Sequence, residues 1–213
     1  MKTKTITTLM IIAACSITAV AINEKMHERT EFADPVAAVL GQRHSGYAFD
    51  PSKPVTQEQI KTIIKAGQSA PSSYNDQPWC FVVCDRTTDP EAYEKVLSTL
   101  VEFNQGWAKN APVLVLVIAS ENSHQAEYNR WAQYDTGAAA FSMMLQATSL
   151  GLMAHQMGGF DAQKVSAIFE ISRGYVPMAV MAIGYEMPEE KKSVKKERKP
   201  LEENFFVGSW GTK

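Results

Sequence analysis

Residues 112–119 carry an unbroken apolar run, with Val-Leu-Val-Leu-Val-Ile at its centre, that limits the folds open to this chain. A continuous β-branched run of this kind is typical of a central strand covered on both faces. Further stretches at residues 80–84, 152–155 and 178–185 are typical of strands, and helical patterns separate them. This alternation predicts an α/β or α+β domain in which helices flank a sheet.

The segments between the predicted strands carry helical patterns. Thr56 begins a capping box before a helix that runs to Ala70, and Thr88 begins the same spacing before the next helix. The longest helical pattern, about residues 124–150, is small and apolar nearly all round in its second half. Such a helix is buried in a core or in a subunit interface. Asp161 is placed to cap one more helix after the third strand.

The chain has 213 residues, of which 45% are hydrophobic, and this is enough for one sizeable core. Its formal net charge of -2 gives no signature of nucleic-acid binding. The four histidines are scattered and there is no CxxC pair, so the sequence predicts no metal site. We therefore expect a single domain that binds neither nucleic acid nor a metal.

Residues 1–26 differ from the rest of the chain. A short basic start precedes an uncharged stretch that ends at Ile22, as in a secretory leader. Residues 19–21 resemble a signal-peptidase site, whereas the residues up to Cys15 resemble a lipobox, in which that cysteine carries the lipid anchor. Both alternatives predict the cell envelope or periplasm, while a start at Met26 predicts a cytoplasmic protein. In each case residues 27–213 are expected to form the folded domain.

The turn-rich segment at residues 70–79 is a candidate binding loop between the first long helix and the first strand. Pro71 and Pro78 prevent the helix from continuing through it. Asn75 and Gln77 each offer donors and acceptors, which suits a flat heterocycle edged with carbonyl and N–H groups. The alternative is a plain connection whose polar side chains bond to their own backbone.

Five separated segments together resemble the FMN-dependent nitroreductase family over about residues 33–211. They are residues 43–47 (RHSGY), 70–79 (APSSYNDQPW), 158–161 (GGFD), 174–185 and 196–200 (KERKP). The resemblance implies an α+β, three-layer fold with a mixed sheet of four to five strands flanked by helices. It also implies a homodimer with FMN at the interface. The long helix would then lie in that interface, and the aromatic tail at residues 205–210 would pack on the partner.

The resemblance further implies which residues hold the phosphate end of FMN. Arg43 and Ser45, with His44 between them, match residues that bind the phosphate and the ribityl chain. Arg198, together with Lys196, matches a basic pair near the same phosphate. These residue types suit the role, because a phosphate dianion favours guanidinium and hydroxyl donors.

Other positions match residues around the flavin ring. Asn75, often contributed by the other subunit, and Gln77 match the pyrimidine edge. Gly158 and Gly159 match the place where the backbone passes flavin N5, and glycine suits it because no Cβ blocks a close approach. Tyr47 departs from the family, since many members have Lys or Arg there to face the N1–O2 side of the flavin.

The resemblance implies an oxidoreductase in which NADH or NADPH reduces FMN, and a nitroaromatic, quinone or similar small acceptor reoxidises it by a ping-pong mechanism. Because the cofactor performs the chemistry, the sequence predicts no catalytic side chain. One alternative is a divergent reductase of the enoate or dehalogenase type. Another is a non-enzymatic protein that binds or stores flavin, and Tyr47 is its only support.

Overall fold

The computed structural model describes residues 36–123, 128–187 and 197–211. The chain separates into two compact units, residues 1–41 and 42–213. A short helix, α1 (Ala38–Gln42), lies at the boundary between the two units, and the second unit holds the sheet. The predicted leader, residues 1–26, lies outside the described residues.

Five further helices lie among the described residues of the second unit. They are α2 (Gln57–Gln68), α3 (Pro90–Leu97), α4 (Glu102–Ala108), α5 (Ala132–Ser149) and α6 (Ala162–Ile168). None of the helices within the described ranges is long and apolar enough to cross a membrane.

Four strands form one sheet in the spatial order β1-β2-β4-β3. They are β1 (Trp79–Asp85), β2 (Val113–Ser120), β3 (Met153–Met157) and β4 (Tyr175–Gly184). Strand β2 is paired on both edges and buried from Val113 to Ala119, which confirms the predicted central strand. Its even-numbered side chains pack with α3, α4 and α6, and its odd-numbered ones with α2 and α5, because successive strand residues face opposite sides. The result is the predicted three-layer α+β arrangement.

Every strand pair in the described sheet is antiparallel, whereas the resemblance implied a mixed sheet. Helix α6, which joins β3 to β4, has 7 residues and rises about 10 Å. That rise is too short to return the chain along the sheet, so β4 starts near the end of β3 and runs in the opposite direction. The strand number and the flanking helices agree with the prediction.

The helix caps follow local sequence signals closely. The capping box of α2 forms as predicted: the Thr56 hydroxyl accepts from the Gln59 N–H at 3.2 Å, and the Gln59 side chain accepts from the Thr56 N–H at 2.9 Å. At α3 the prediction was wrong by one residue. Asp89 rather than Thr88 caps that helix, because its carboxylate accepts from the Ala92 N–H at 3.0 Å.

The limits of two helices differ from the sequence prediction. Helix α5 begins at Ala132 instead of near residue 124, because Asn129 forms a turn whose side-chain oxygen accepts from the Trp131 N–H at 3.0 Å. Helix α4 was not predicted, since its 7 residues include Gly106 and are too few for a clear apolar period. The predicted cap of α6 is confirmed, with Asp161 accepting from the N–H of the third helical residue at 2.9 Å.

Candidate functional site

The predicted phosphate-binding segment, residues 43–47, lies beside the chain that follows β4. Nε2 of His44 lies 2.8 Å from Oε1 of Glu186, and an antiparallel bridge follows two residues beyond the segment. Nη1 of Arg43 donates to Oγ of Ser45 at 3.4 Å. The segment is therefore anchored through His44, while Arg43 and Ser45 lie on either side of that anchor and close to each other.

Two guanidinium groups are neighbours at this segment. Burial lowers the pKa of Arg43, and the positive charge of Arg198 lowers it further. The structure therefore places Arg198, from the C-terminal segment, within electrostatic reach of Arg43. An anion placed between the two groups would relieve their repulsion, and a phosphate suits two guanidinium groups and a hydroxyl. Lys196, the other predicted basic residue, lies outside the described residues.

The candidate loop at residues 70–79 has an unusual backbone. Tyr74, Asn75 and Gln77 all have positive φ angles, of 53°, 58° and 49°. Asparagine tolerates this left-handed region, but it is uncommon for bulky residues such as tyrosine. Such conformations persist only where the surrounding structure holds them, and they cluster at functional sites.

Two carboxylates hold this loop in place. Oδ2 of the buried Asp135, on α5, accepts from the N–H of Ser73 at 2.9 Å. Oδ2 of Asp76, in the loop itself, accepts from Oγ of Ser123 at 2.7 Å and from Nδ2 of Asn129 at 3.2 Å. The loop is therefore tied to α5 itself through Asp135 and to the segment that leads into α5 through Asp76.

The two amides of the loop differ in their surroundings. Gln77 uses its side chain within the loop, donating to the carbonyl of Asn75 at 3.2 Å, and its N–H donates to Oγ of Ser72 at 3.0 Å. The Asn75 side chain is exposed and has no hydrogen-bond partner among the described residues. Asn75 is thus accessible from outside the loop, whereas Gln77 fits the alternative in which a polar side chain satisfies its own backbone.

The two predicted glycines form a tight turn after β3. The Phe160 N–H donates to the Gly158 carbonyl at 3.1 Å, and the Gly159 carbonyl accepts from the Val101 N–H at 3.0 Å and from Nδ2 of Asn104 at 3.1 Å. A Cβ added at Gly158 would meet no atom within 4 Å, whereas one at Gly159 would lie 2.8 Å from Nδ2 of Asn104. Within the described chain, neither glycine N–H donates to a protein acceptor. The turn therefore has one packed side and one open side.

Tyr47 lies in an aromatic cluster beside the glycine turn. Its ring centroid is 6.0 Å from Phe103, 5.1 Å from Trp107 and 5.0 Å from His155. Nδ1 of His155 lies 2.8 Å from the carbonyl of Gly46, and since a carbonyl only accepts, this nitrogen carries the proton. Helix α4 joins the cluster to the turn, because it contributes both Phe103 and the side chain that bonds to the glycine carbonyl.

The structure groups most, but not all, of the predicted site residues. Arg43, Ser45 and Arg198 lie together, and helix α4 contacts both Tyr47 and the glycine turn, while the contacts that hold the loop at residues 70–79 run to α5 and to the segment before it. Sequence reasoning missed the supporting residues, because single polar residues without a motif give no signal. These are Asn104, Asp135, His155 and Glu186. No group of three or more metal-binding side chains occurs among the described residues.

Comparison with known proteins gives the context of this arrangement. A model of the Nitroreductase family matches residues 40–185. A solved oxidoreductase that contains FMN has 35% sequence identity and a TM-score of 0.77, covering 86% of this chain and 96% of its own.

Two named relatives are each matched over most of their own length. The oxygen-insensitive NAD(P)H nitroreductase of Salmonella typhimurium is 27% identical over 209 residues, or 78% of this chain and 96% of the relative. The CLA biosynthesis enone reductase of Lactiplantibacillus plantarum is 24% identical over 186 residues, or 70% and 84% respectively. Because the family model covers well over half of the chain, this protein belongs to the Nitroreductase family.

Proposed function

We propose that this protein is an FMN-dependent oxidoreductase that takes electrons from NADH or NADPH and passes them to a small planar acceptor. Family membership supports this proposal, as do a similar protein that contains FMN and a relative named for NAD(P)H. The observation that carries it is that Arg198 lies near enough to Arg43 to lower its pKa, beside the Ser45 hydroxyl that accepts from Arg43 at 3.4 Å, because two guanidinium groups and a hydroxyl suit an anion.

The phosphate end of FMN fits the first part of this site. Arg43 and Arg198 supply guanidinium donors and Ser45 supplies a hydroxyl. The contact between His44 and Glu186 fixes the segment, so that Arg43 and Ser45 keep their places when no anion is present. A site that is ordered beforehand loses less entropy when its ligand binds.

The ring end of FMN fits the open side of the glycine turn. Bound FMN supplies hydride chemistry at its isoalloxazine ring. The N–H groups of Gly158 and Gly159 are free to donate to the acceptor edge of a flat ring, and no Cβ limits its approach at Gly158. Because one open face serves the electron donor and the acceptor in turn, the kinetics are ping-pong.

An apolar wall beside the turn suits a flat acceptor. Phe103 is 70% exposed, Val101 is 49% exposed, and both lie on the segment that bonds to the glycine turn. Together with the ring of Tyr47 they offer stacking surface to a nitroaromatic or quinone. An enone is the alternative acceptor, since one relative is named an enone reductase.

The protein forms a homodimer in this proposal. Helix α5 exposes Tyr134 and Phe141, and the C-terminal segment exposes Phe205, Val207 and Trp210, the last at 91%. Large exposed apolar side chains of this kind mark an interaction surface. A second copy that covers them would also bring the exposed Asn75 to the flavin site of its partner.

The leader is also part of the proposal, although it lies outside the described residues. If Cys15 is the acylated residue of a lipobox, the mature protein fractionates with membranes, and Cys15→Ser abolishes this. Plain signal cleavage after Ala21 instead gives a free periplasmic protein. Cytosolic protein that retains residues 1–25, or that starts at Met26, would contradict both forms of export.

The experiment is a spectroscopic test of the purified protein. We expect a yellow protein with bound FMN that bleaches under anaerobic NADH or NADPH and regains colour with a nitroaromatic or quinone. A yellow protein that neither nucleotide bleaches would favour flavin storage, which the neutral Tyr47 in place of a cation supports. A colourless protein that takes up no added FMN would overturn the proposal.

A further inference from the structure

The chain changes direction sharply where β3 ends, and this reversal is held from one side. The Phe160 N–H closes the turn on the Gly158 carbonyl at 3.1 Å. Leu100 forms an antiparallel bridge with Phe160, and the Asp161 N–H donates to the Thr99 carbonyl at 2.8 Å. The turn is therefore fastened to the segment that enters α4.

One carbonyl carries most of this fastening. The Gly159 oxygen accepts from the Val101 N–H at 3.0 Å and from Nδ2 of Asn104 at 3.1 Å. A carbonyl oxygen has two lone pairs, so these two donors use its full capacity. The peptide plane after Gly159 is thereby fixed, and Asn104 is the one side chain in the described residues that donates to this turn.

The same side chain explains why the two glycines are not equivalent. A Cβ at Gly159 would come within 2.8 Å of Nδ2 of Asn104 and 3.0 Å of Val101, so packing within the protein requires a glycine at this position. A Cβ at Gly158 would meet nothing, so the protein itself does not require glycine there. Asn104 therefore closes the inner side of the turn and leaves the side at Gly158 open, while neither glycine N–H has a protein acceptor among the described residues.

We propose that Asn104 is a positioning residue that orients the Gly158–Gly159 backbone toward the flavin ring. This inference rests on the proposed function, because it assigns the open side of the turn to FMN. Asn104 touches neither cofactor nor substrate; it acts through the peptide that it holds. The plane of the Gly159 carbonyl also contains the Phe160 N–H, which bonds to the Gly158 carbonyl, and the plane of that second carbonyl contains the Gly159 N–H. Without the Asn104 donor, the Gly159 carbonyl keeps only the bond from Val101, so both planes are held less firmly and the direction of the Gly159 N–H changes.

Helix α4 provides a matched control next to Asn104. Gln105 is also half-buried and also donates its side-chain amide to a backbone carbonyl, that of Leu100 at 2.6 Å. This bond closes the start of the helix and does not reach the glycine turn. Asn104→Leu and Gln105→Leu therefore each remove one side-chain-to-backbone hydrogen bond from the same helix, but only the first removes a donor to the glycine turn itself.

The experiment measures FMN in the wild type and both variants by its dissociation constant, its visible spectrum and its midpoint potential. We expect Asn104→Leu to weaken FMN binding about 3- to 10-fold, the factor for one neutral hydrogen bond. We also expect shifted flavin bands and a shifted potential. The two variants should lower the melting temperature by similar amounts. Gln105→Leu should leave the flavin spectrum and the midpoint potential unchanged.

The outcomes separate this inference from the function on which it rests. Unchanged spectrum and potential in Asn104→Leu, or equal shifts in Gln105→Leu, would overturn the positioning role while FMN binding stands. A wild type that binds no FMN would overturn both. If Asn104→Leu does not fold, Asn104→Ala removes the donor without adding an apolar branch, and the same criteria apply to it.

Discussion

At Arg43, burial and a neighbouring cation act in the same direction. Burial lowers the pKa of the guanidinium most, and the positive charge of Arg198 lowers it further, so the folded chain holds the two positive groups near each other. Such an arrangement is unfavourable in the free protein and becomes favourable when an anion binds. The free energy of repulsion in the free protein therefore adds to the affinity for a phosphate.

We expect Arg43→Ala to weaken FMN binding by about 1.5–3 kcal/mol, the range for hydrogen bonds to charged groups. Arg43→Lys should fall between this variant and the wild type, because it keeps the charge but loses the bidentate fork. Arg198→Ala should have a smaller effect, since Arg198 is exposed. Flavin fluorescence titration measures all three, with Lys61→Ala on the exposed face of α2 as the control. An FMN affinity equal to that of the wild type in Arg43→Ala would show that the phosphate does not bind at this segment.

A substitution at Tyr47 gives a second prediction at the scale of single residues. Reduced flavin carries negative charge at N1–O2, and a charge-assisted hydrogen bond is about twice as strong as a neutral one. Tyr47→Lys should therefore raise the flavin potential, by about 30 mV for each 1.4 kcal/mol of added stabilisation. Tyr47→Phe keeps the contacts with Phe103, Trp107 and His155 without adding charge, so it is the control.

Reductive titration against a reference dye measures both Tyr47 variants. A potential that is unchanged or lower in Tyr47→Lys would mean that this position does not face N1. It would also be explained by another basic group, and His155, 5.0 Å from the Tyr47 ring, is the described candidate for that role.

At the scale of helices and strands, the elements with a long apolar pattern were predictable from the sequence. The element limits that depend on single contacts were not. Strand β2 was predictable because six consecutive apolar residues admit few alternatives to a doubly covered strand. The start of α5 was missed, since one Asn129 side chain decides where the turn gives way to the helix. Helix α4 was missed because its 7 residues, Gly106 among them, are too few to show an apolar period.

In the candidate loop, too, some features were predictable from the sequence and others were not. Its position between a helix and a strand, and its polar character, were evident from Pro71, Pro78 and the amides. The left-handed angles of Tyr74 and Gln77 were not, because neither residue type favours them. They result from bonds to residues about fifty to sixty positions away, such as that of Asp135, and no local pattern records such contacts.

Asp135 gives the prediction at this scale. Asp135→Ala leaves the Ser73 N–H without its acceptor, which should lower the free energy of unfolding by about 1–3 kcal/mol. Asp135→Asn keeps an oxygen acceptor and should lose less. Urea unfolding followed by tryptophan fluorescence measures the differences, with the exposed Gln133→Ala on the same helix as the control. Equal stability of Asp135→Ala and the control would show that the loop does not depend on this bond.

At the scale of the whole molecule, the described contacts of one chain do not bring together all the residues that the proposed function assigns to FMN. Arg43 and Arg198 form one cluster, whereas Asn75 points outward with no partner among the described residues. The exposed aromatic side chains of α5 and of the C-terminal segment supply the surface that a second copy would cover. In the proposed homodimer, each flavin site therefore combines Arg43 of one subunit with Asn75 of the other.

This arrangement predicts complementation between two defective variants. Arg43→Ala and Asn75→Leu should each bind FMN weakly when purified alone. In a hybrid dimer of the two, one site has both substitutions and the other has neither, so random exchange of subunits should restore about a quarter of all sites to wild-type affinity. FMN titration before and after mixing under subunit-exchanging conditions measures this, and mixing each variant with itself is the control. If Arg43 and Asn75 of the same subunit built the site, every site in the mixture would still carry one substitution, and no high-affinity fraction would appear.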